Sequence, residues 1–416
     1  MKQFLVLDLV PLLALALSAL TCALLGNFLV LRRQALMGDA ISHAVLPGLV
    51  VAVILTGSLA PWGVFLGAAC AAAVTALSIE LIKRLGRVEP GAAMGVVFSV
   101  LFALGVLMLE QAHGLANIDL DPSCVLYGQP EYLAWYSAPE RAGELLSPSA
   151  WASAPTPLFT LLGVATGTTL LIAVFFKELR IAAFDPALAT TQGVHAGGVH
   201  AALMLAVAIA TVAAFEAVGS ILVIAMLITP AATARLLTDR LSVQLWLSAG
   251  TGVGSALLGY GVAANAPRLF GLPDALNAAG AVTVTLAAGF VVTALVAPTH
   301  GVIARVVRTR RLARRVAMED LLADLYRHRD DPSRPSEIQR PDQRALDRAR
   351  SRGWVTRDIP PRLTESGLRY AESVMRRHRE WQDELVRRAG LDPEHAHLRA
   401  HQLEHLPDPS TLPCTE

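Results

Sequence analysis

A chain of 416 residues that is 54% hydrophobic, with a mean hydropathy of +0.49 and a formal charge of +1, is too apolar for an ordinary soluble protein of its length. About 42 of its 69 charged side chains follow residue 304, so the first three quarters are nearly uncharged and the last quarter is Arg-rich and mixed in sign. The four cysteines, Cys22, Cys70, Cys124 and Cys414, have neither a CxxC nor a paired spacing, which argues against a zinc ribbon or a disulfide framework.

The N-terminal run MKQFLVLDLVPLLALALSALTCALLGNFLVLRR has one early lysine and lacks the short apolar core and small-residue cleavage site of a signal peptide. It reads as the first membrane helix, over residues 5–31. Further stretches that cross or nearly cross the hydrocarbon layer follow at 43–58, 61–82, 91–109, 156–176, 198–216, 218–236, 241–264 and 276–297. The second is short and the pair around Gly219 has the look of a broken helix, so the expectation is eight or nine spans. The basic clusters LRRQ (31–34), KRLGR (83–87), KELR (177–180), Arg235 with Arg240, and the tail all fall on one side if the spans alternate, which makes that side cytoplasmic. Residues 110–155 then form the main external loop, with aromatics at 132–136 suited to the membrane interface.

The second stretch opens with MGDAISHAVLPG, residues 37–48. On a helix, Asp39 and His43 stand at i and i+4, so both project from one face and can converge on one ion. A carboxylate with an imidazole suits borderline divalent cations better than alkali metals. The same spacing also fits Asp39 as an N-cap and His43 packed against carbonyls. Their position at a membrane edge favours an ion pathway, because ionisable groups there are costly unless paired or solvated. Farther on, FDPALA puts Asp185 at an N-cap and Pro186 at the first helical position of a short helix between spans. Glu216 is a further candidate ligand, or else a carboxylate at a helix end. The run after it carries Gly219, Thr229 and Pro230 inside a span, as the broken helices of transport pathways do and as ordinary kinked packing also does. The lysines are Lys2, Lys83 and Lys177, and none completes a GxxxxGK[ST] phosphate loop, so energy must come from a partner chain or an ion gradient.

The blocks LVLRRQALMGDAISHAVLPG and VGSILVIAMLITPAATARLL (218–237), in this order and at this separation, resemble the permease subunits of ABC importers for zinc, manganese and iron, over roughly residues 5–300. The resemblance implies that Asp39 and His43 pass the metal through the membrane. It implies also that Phe184, Asp185, Pro186 and Ala187 belong to a short coupling helix docking into an ABC ATPase subunit. The expected partners are that ATPase, an extracytoplasmic metal-binding protein and a second permease, identical or similar.

After Ala304 the pattern becomes amphipathic. RRVAMEDLLADLYRHR and RPDQRALDRARSRGW read as helices, WVTRDIPPRLT as a short strand-turn-strand, and ESGLRYAESVMRRHREWQDELVRRAG as a long third helix. This order resembles a winged helix-turn-helix. Five of the 11 histidines fall between residues 378 and 405, and His397, His401 and His405 follow i, i+4, i+8 spacing beside Glu404. A solvated polar face would look the same. From residue 340 to 406 the tail resembles the iron- and manganese-dependent repressors, whose ligand positions fall on His378, His397, His401, Glu404 and His405. Gln382 stands where those repressors often have glutamate, and His401 where they have cysteine or glutamate, which leaves the metal's identity open.

The sequence therefore predicts an all-α polytopic membrane protein, residues 1–304, followed by a cytoplasmic winged-helix-like α/β domain, residues 305–416. It is expected in a bacterial inner membrane, as a transport subunit and not an enzyme. Manganese, zinc or iron would be its substrate and a possible regulatory ligand of the tail. The tail's Arg excess over acidic residues is too modest for a nucleic-acid stripe. A membrane-anchored, metal-responsive transcription regulator is the alternative, and a gradient-driven transporter is a third reading that leaves the coupling-helix match unexplained.

Overall fold

The computed structural model describes residues 2–35, 37–56, 61–86, 88–116, 130–136, 139, 151, 153–271, 276–330, 342–389 and 392. The chain divides into two compact units, Met1–Val302 and Ile303–Glu416. The first contains α1 (Lys2–Leu7), α2 (Leu9–Leu31), α3 (Met37–Thr56), α4 (Pro61–Gly86) and α5 (Pro90–Ala116). A single 3-10 turn, Pro130–Leu133, leads to α6 (Thr156–Val174), α7 (Phe176–Phe184), α8 (Pro186–Thr191), α9 (Ala196–Val218), α10 (Ser220–Leu237), α11 (Leu241–Phe270) and α12 (Ala278–Val296). Among the described residues eight of these helices are long and apolar enough to cross a membrane: α2, α4, α5, α6, α9, α10, α11 and α12. This is a multi-pass membrane protein. α3 packs against α4, α5, α9 and α10.

Hydrocarbon offers the backbone no hydrogen-bond partner, so apolar runs of this length close their bonds within a helix. The hydroxyls inside the spans do likewise. Thr21 donates to the Leu17 carbonyl, Thr75 to Ala71, Thr169 to Ala165 and Thr251 to Leu247, each one turn back.

Burial sorts the helices into an inner and an outer set. In an apolar 18-residue stretch of each, α2, α9 and α10 have 67%, 61% and 50% of residues buried inside the unit, whereas α12 has 17% and α4 22%. The outer helices leave Leu66, Leu77, Val284 and Val292 exposed, the surface expected to meet lipid. α2 runs antiparallel to α11. Asp8 at its start accepts from the Tyr260 hydroxyl at 2.8 Å, Ala19 and Ala23 meet Gly252 midway, and Asn27 near its end donates to Ser248 Oγ at 2.6 Å.

Two local features refine the expectations. The second apolar helix begins at Met37, six residues earlier than hydropathy suggests, which places Asp39 inside the first turn instead of at its cap. Its start packs on α10: a Cβ at Gly38 would overlap Cδ2 of Leu227. In the external segment Trp135 is covered by protein. It is 1% exposed, lies tilted by 30° against Trp151 at 5.1 Å between ring centres, and packs with Leu5, Val10 and Leu158, while its backbone N–H donates to the Val6 carbonyl.

The second unit contains α13 (Val302–Asp330), α14 (Gln343–Ser351) and α15 (Glu365–Ala389). Met318, Leu321 and Leu322 of α13 form its core with Ala345, Ala349, Val355 and Ala371. The expected strand-turn-strand contributes a single bridge, Val355 to Leu363, and among the described residues no strand is formed. Trp354 and Tyr370 stack face to face at 4.3 Å beside it. Glu319 of α13 is fully buried and takes hydrogen bonds from Arg315 Nε at 2.9 Å, the Tyr370 hydroxyl at 2.6 Å and Arg377 Nη2 at 3.4 Å.

Candidate functional site

α3 carries Asp39 and His43 one helical turn apart on the backbone; their side chains lie outside the described part of the structure. Pro47 lies inside the same helix. Proline has no N–H, so the intrahelical bond that would end on the carbonyl of His43 cannot form from residue 47. The helix makes two close contacts through glycine. Gly38 abuts Leu227 of α10, and Gly48 crosses Gly67 of α4 so closely that a Cβ on either would overlap the other's carbonyl oxygen.

α10 is interrupted in its turn. Gly219, at φ 81° and ψ 162°, occupies a backbone region that only glycine adopts without strain, and it separates α9 from α10 in a single residue. α9 packs chiefly on α2, α4 and α6, whereas α10 packs chiefly on α2, α11 and α12, so the chain changes neighbours at this glycine. Pro230 is buried within α10 and leaves the carbonyl of Met226 without its usual donor, while Thr233 donates to the carbonyl of Thr229 at 2.7 Å. Glu216 is exposed on α9, three residues before Gly219.

The short helix expected after FKELR is α8. Asp185 is its N-cap, its carboxylate accepting from the backbone N–H of Ala187 at 2.9 Å and of Leu188 at 3.0 Å, and Pro186 occupies the first helical position. The cap turns α8 away from α7 so that Phe184 and Leu188 stand 57% and 48% exposed beside the exposed Asp185, Pro186 and Ala187.

One polar connection was not foreseen. Arg32, read in the sequence only as part of a basic cluster, reaches His200 on α9, 168 positions away, and the carbonyl of Ala182 on α7. Burial holds its guanidinium below the ordinary arginine pKa. No local spacing signals a pair so distant in sequence.

In the tail, His378 lies on α15 and is 2% exposed, and Gln382 is half-buried one turn later. His397, His401, Glu404 and His405 lie outside the described residues. Among the described residues no three histidine, cysteine or carboxylate side chains gather as a metal site.

Residues 6–130 and 154–298 match the ABC 3 transport family, and residues 364–413 match the iron dependent repressor, metal binding and dimerisation domain. The chain is similar to the manganese transport system membrane protein MntD of Bacillus subtilis (strain 168), with 38% identity over 293 residues, 70% of this chain and 93% of MntD. It is also similar to the zinc transport system membrane protein TroD of Treponema pallidum (strain Nichols), with 42% identity over 212 residues, 51% of this chain and 55% of TroD. Among solved structures it resembles PsaBC from Streptococcus pneumoniae in complex with Fab, at a TM-score of 0.56 and 30% identity over 72% of this chain and 94% of that one.

Proposed function

The chain belongs to the ABC 3 transport family, and from that membership we propose that it is the membrane permease subunit of an ATP-binding cassette importer for divalent manganese, zinc or iron. The observation that carries this reading is the family match, which runs through the membrane unit on both sides of the external loop and takes in both α3 and α10. The relatives named above transport manganese or zinc, so these metals head the substrate list.

In this reading Asp39 and His43 are the ligands through which the metal passes, with Glu216 as a further ligand along the way. α3 suits such a role because it packs closely on α4 and α10 through glycine, and Pro47 leaves a carbonyl available beside His43. Phe184, Asp185, Pro186 and Ala187 form the face that docks into an ABC ATPase subunit; the capped, exposed geometry of α8 supports this. An extracytoplasmic metal-binding protein delivers the ion, and a second permease, identical or similar, completes the pathway.

The orientation follows from charge. Basic residues at 31–34, 83–87, 177–180 and 235–240 and the tail share one face only if α3 crosses the membrane and α9 and α10 cross separately. With nine crossings that face, and the tail from residue 305 on, is cytoplasmic in a bacterial inner membrane.

The tail is proposed to be a winged-helix-like sensor of cytoplasmic metal that restrains transport. The repressor-domain match over 364–413 supports it, as does the buried imidazole of His378, a nitrogen donor of the kind borderline metals take. His397, His401, Glu404 and His405 would complete its ligand set. A regulator merely anchored by its spans has less support, because the membrane unit itself matches transporters.

The test is uptake of Mn(II), Zn(II) and Fe(II) by the reconstituted complex. Asp39→Ala and His43→Ala should each abolish uptake while the ATPase still co-purifies; full uptake in both would remove the pair from the pathway. Truncation near residue 304 should keep uptake and lose its inhibition by internal metal, and normal feedback in that variant would end the sensor reading.

A further inference from the structure

Arg32 follows the last residue of α2, seven positions before Asp39. Its Nη2 donates to the carbonyl of Ala182 on α7 at 3.0 Å, and its Nη1 lies 2.6 Å from Nδ1 of His200 on α9. A guanidinium only donates, so Nδ1 is the lone-pair nitrogen and the ring proton sits on Nε2. That nitrogen faces Glu80 of α4 at 3.7 Å, and Glu80 also accepts from Lys83. One guanidinium therefore ties the end of α2 to α7 and α9, and through His200 to α4. Arg32, Lys83 and His200 border a cleft of about 450 Å³ that is also lined by Pro186, the first residue of α8.

Both ends of this tie lead to functional elements. Ala182 lies two residues before Phe184 and three before the Asp185 cap, within the last turn of α7. On the other side, the turn from α2 to α3 is closed by three backbone bonds. Arg33 donates to Val30, Gln34 to Leu29, and Met37 at the start of α3 to Gln34. With bonds from Arg33, Gln34 and Met37, the turn has little slack to absorb a displacement of Arg32 before it reaches α3. The guanidinium suits such a linkage because its donors form a rigid planar fork, unlike the single rotatable head of a lysine.

We propose that Arg32, held by His200, is the positioning residue that transmits movement of the ATPase-docking element α7–α8 to the metal-carrying helix α3. The inference rests on the reading above, in which Phe184–Ala187 dock the ATPase and Asp39 and His43 carry the metal. Arg32 touches neither nucleotide nor metal in this scheme. Its loss should uncouple the two activities and leave each partner bound.

The experiment uses the full complex of permease, ATPase and binding protein in proteoliposomes, and reads Mn(II) transported per ATP hydrolysed. Arg32→Met, which keeps the aliphatic stem and removes the donors, should lower this ratio by about tenfold, within the range of about 5–150-fold usual for coupling between sites. ATP hydrolysis and co-purification of the ATPase should persist. His200→Leu should lower the ratio similarly, and His200→Asn, whose Oδ1 can stand in for Nδ1 as acceptor, should restore it. The double variant Arg32→Met/His200→Leu should be no worse than either single variant, since both remove one contact. An unchanged ratio in Arg32→Met and His200→Leu overturns the proposal, as does a strictly additive double variant or a His200→Asn as damaged as His200→Leu. Should Arg32→Met fail to assemble, the His200 pair decides alone. A wild-type complex that moves no divalent metal sinks the importer reading itself. Intact coupling after a Gly/Ser replacement of residues 184–187 sinks the docking assignment, and both results are distinct from any result on Arg32.

Discussion

In the membrane unit, helices meet backbone to backbone at glycine: Gly26 closes on the Leu227 carbonyl, and Gly48 and Gly67 press on each other's carbonyls. In the tail, helices meet through side chains, with a fully buried Glu319 gathering Arg315, Tyr370 and Arg377 and an aromatic stack beside it. The difference follows from the solvent. Lipid tails are as apolar as leucine, so burying apolar area does not tell one helix pairing from another, and close approach of small residues does. In water the apolar core forms readily, and a buried carboxylate with several donors fixes which face of α13 meets α15. Polar ties join α2 at both ends, Asp8–Tyr260 at its start, and Asn27–Ser248 and Arg32–His200 toward the end that carries the Arg32–Arg33 cluster.

The largest effect that can break this comparison is a side chain at a glycine crossing. Gly26→Val or Gly48→Val would drive carbon into a backbone carbonyl that has no room to move, a strain beyond the about 1–3 kcal/mol of ordinary overpacking. Neither variant should yield monodisperse permease in detergent. Gly163→Val and Gly95→Val, where a Cβ meets nothing within 4 Å, should behave as wild type. If all four variants purify alike, glycine contact is not what orders the membrane helices.

In the tail, Glu319→Ala is the matching test. Removing one partner from a buried ion pair costs about 3–5 kcal/mol. Here Arg315 is half exposed and can return to water, so a loss on the order of 1–3 kcal/mol is expected. Limited proteolysis of the full chain should show the tail cut several times faster while the membrane unit stays intact. An unchanged rate would mean that the Trp354–Tyr370 stack and the apolar core hold the two helices without the carboxylate.

The comparison also explains what could be read in advance. The spans, the Asp185 cap and the order of the tail's helices follow from hydropathy, periodicity and capping chemistry, which are local. Gly26 and Gly163 are indistinguishable in the sequence, because only the partner helix decides which of them is crowded. Hydropathy marks Gly38-Asp39 as a polar edge, whereas the Asp39–His43 spacing already suits a helix and α3 includes both from Met37 on. Trp135 looks interfacial by composition and is buried because α1 and Trp151 cover it. Asp39 and His43 were conspicuous as a motif, but the Arg32–His200 tie joins residues too far apart to form one.

The smallest effect sharpens the tail's half of the comparison through Tyr370. Burial first, and donation of its hydroxyl to Glu319 second, hold this phenol above the ordinary tyrosine pKa. A group whose folded pKa is raised adds stability that is complete below its unfolded value, near about 10, and is lost as pH climbs through the folded value. The tail should therefore keep its stability through neutral pH and weaken only above that range, as the phenolate forms opposite the carboxylate it had been donating to. Tyr370→Phe keeps the ring on Trp354 and removes only the hydroxyl, so it should lose this alkaline dependence at the cost of one hydrogen bond to a charged acceptor, about 1.5–3 kcal/mol before allowance for its partial exposure. The difference in phenolate absorbance between wild type and Tyr370→Phe, followed against pH in the full chain, isolates this one tyrosine. Its midpoint should lie above that of the same difference measured in denaturant. A midpoint equal to or below the denatured one would mean that the hydroxyl does not donate to Glu319 in solution, and Tyr370 would then take no part in holding the buried carboxylate.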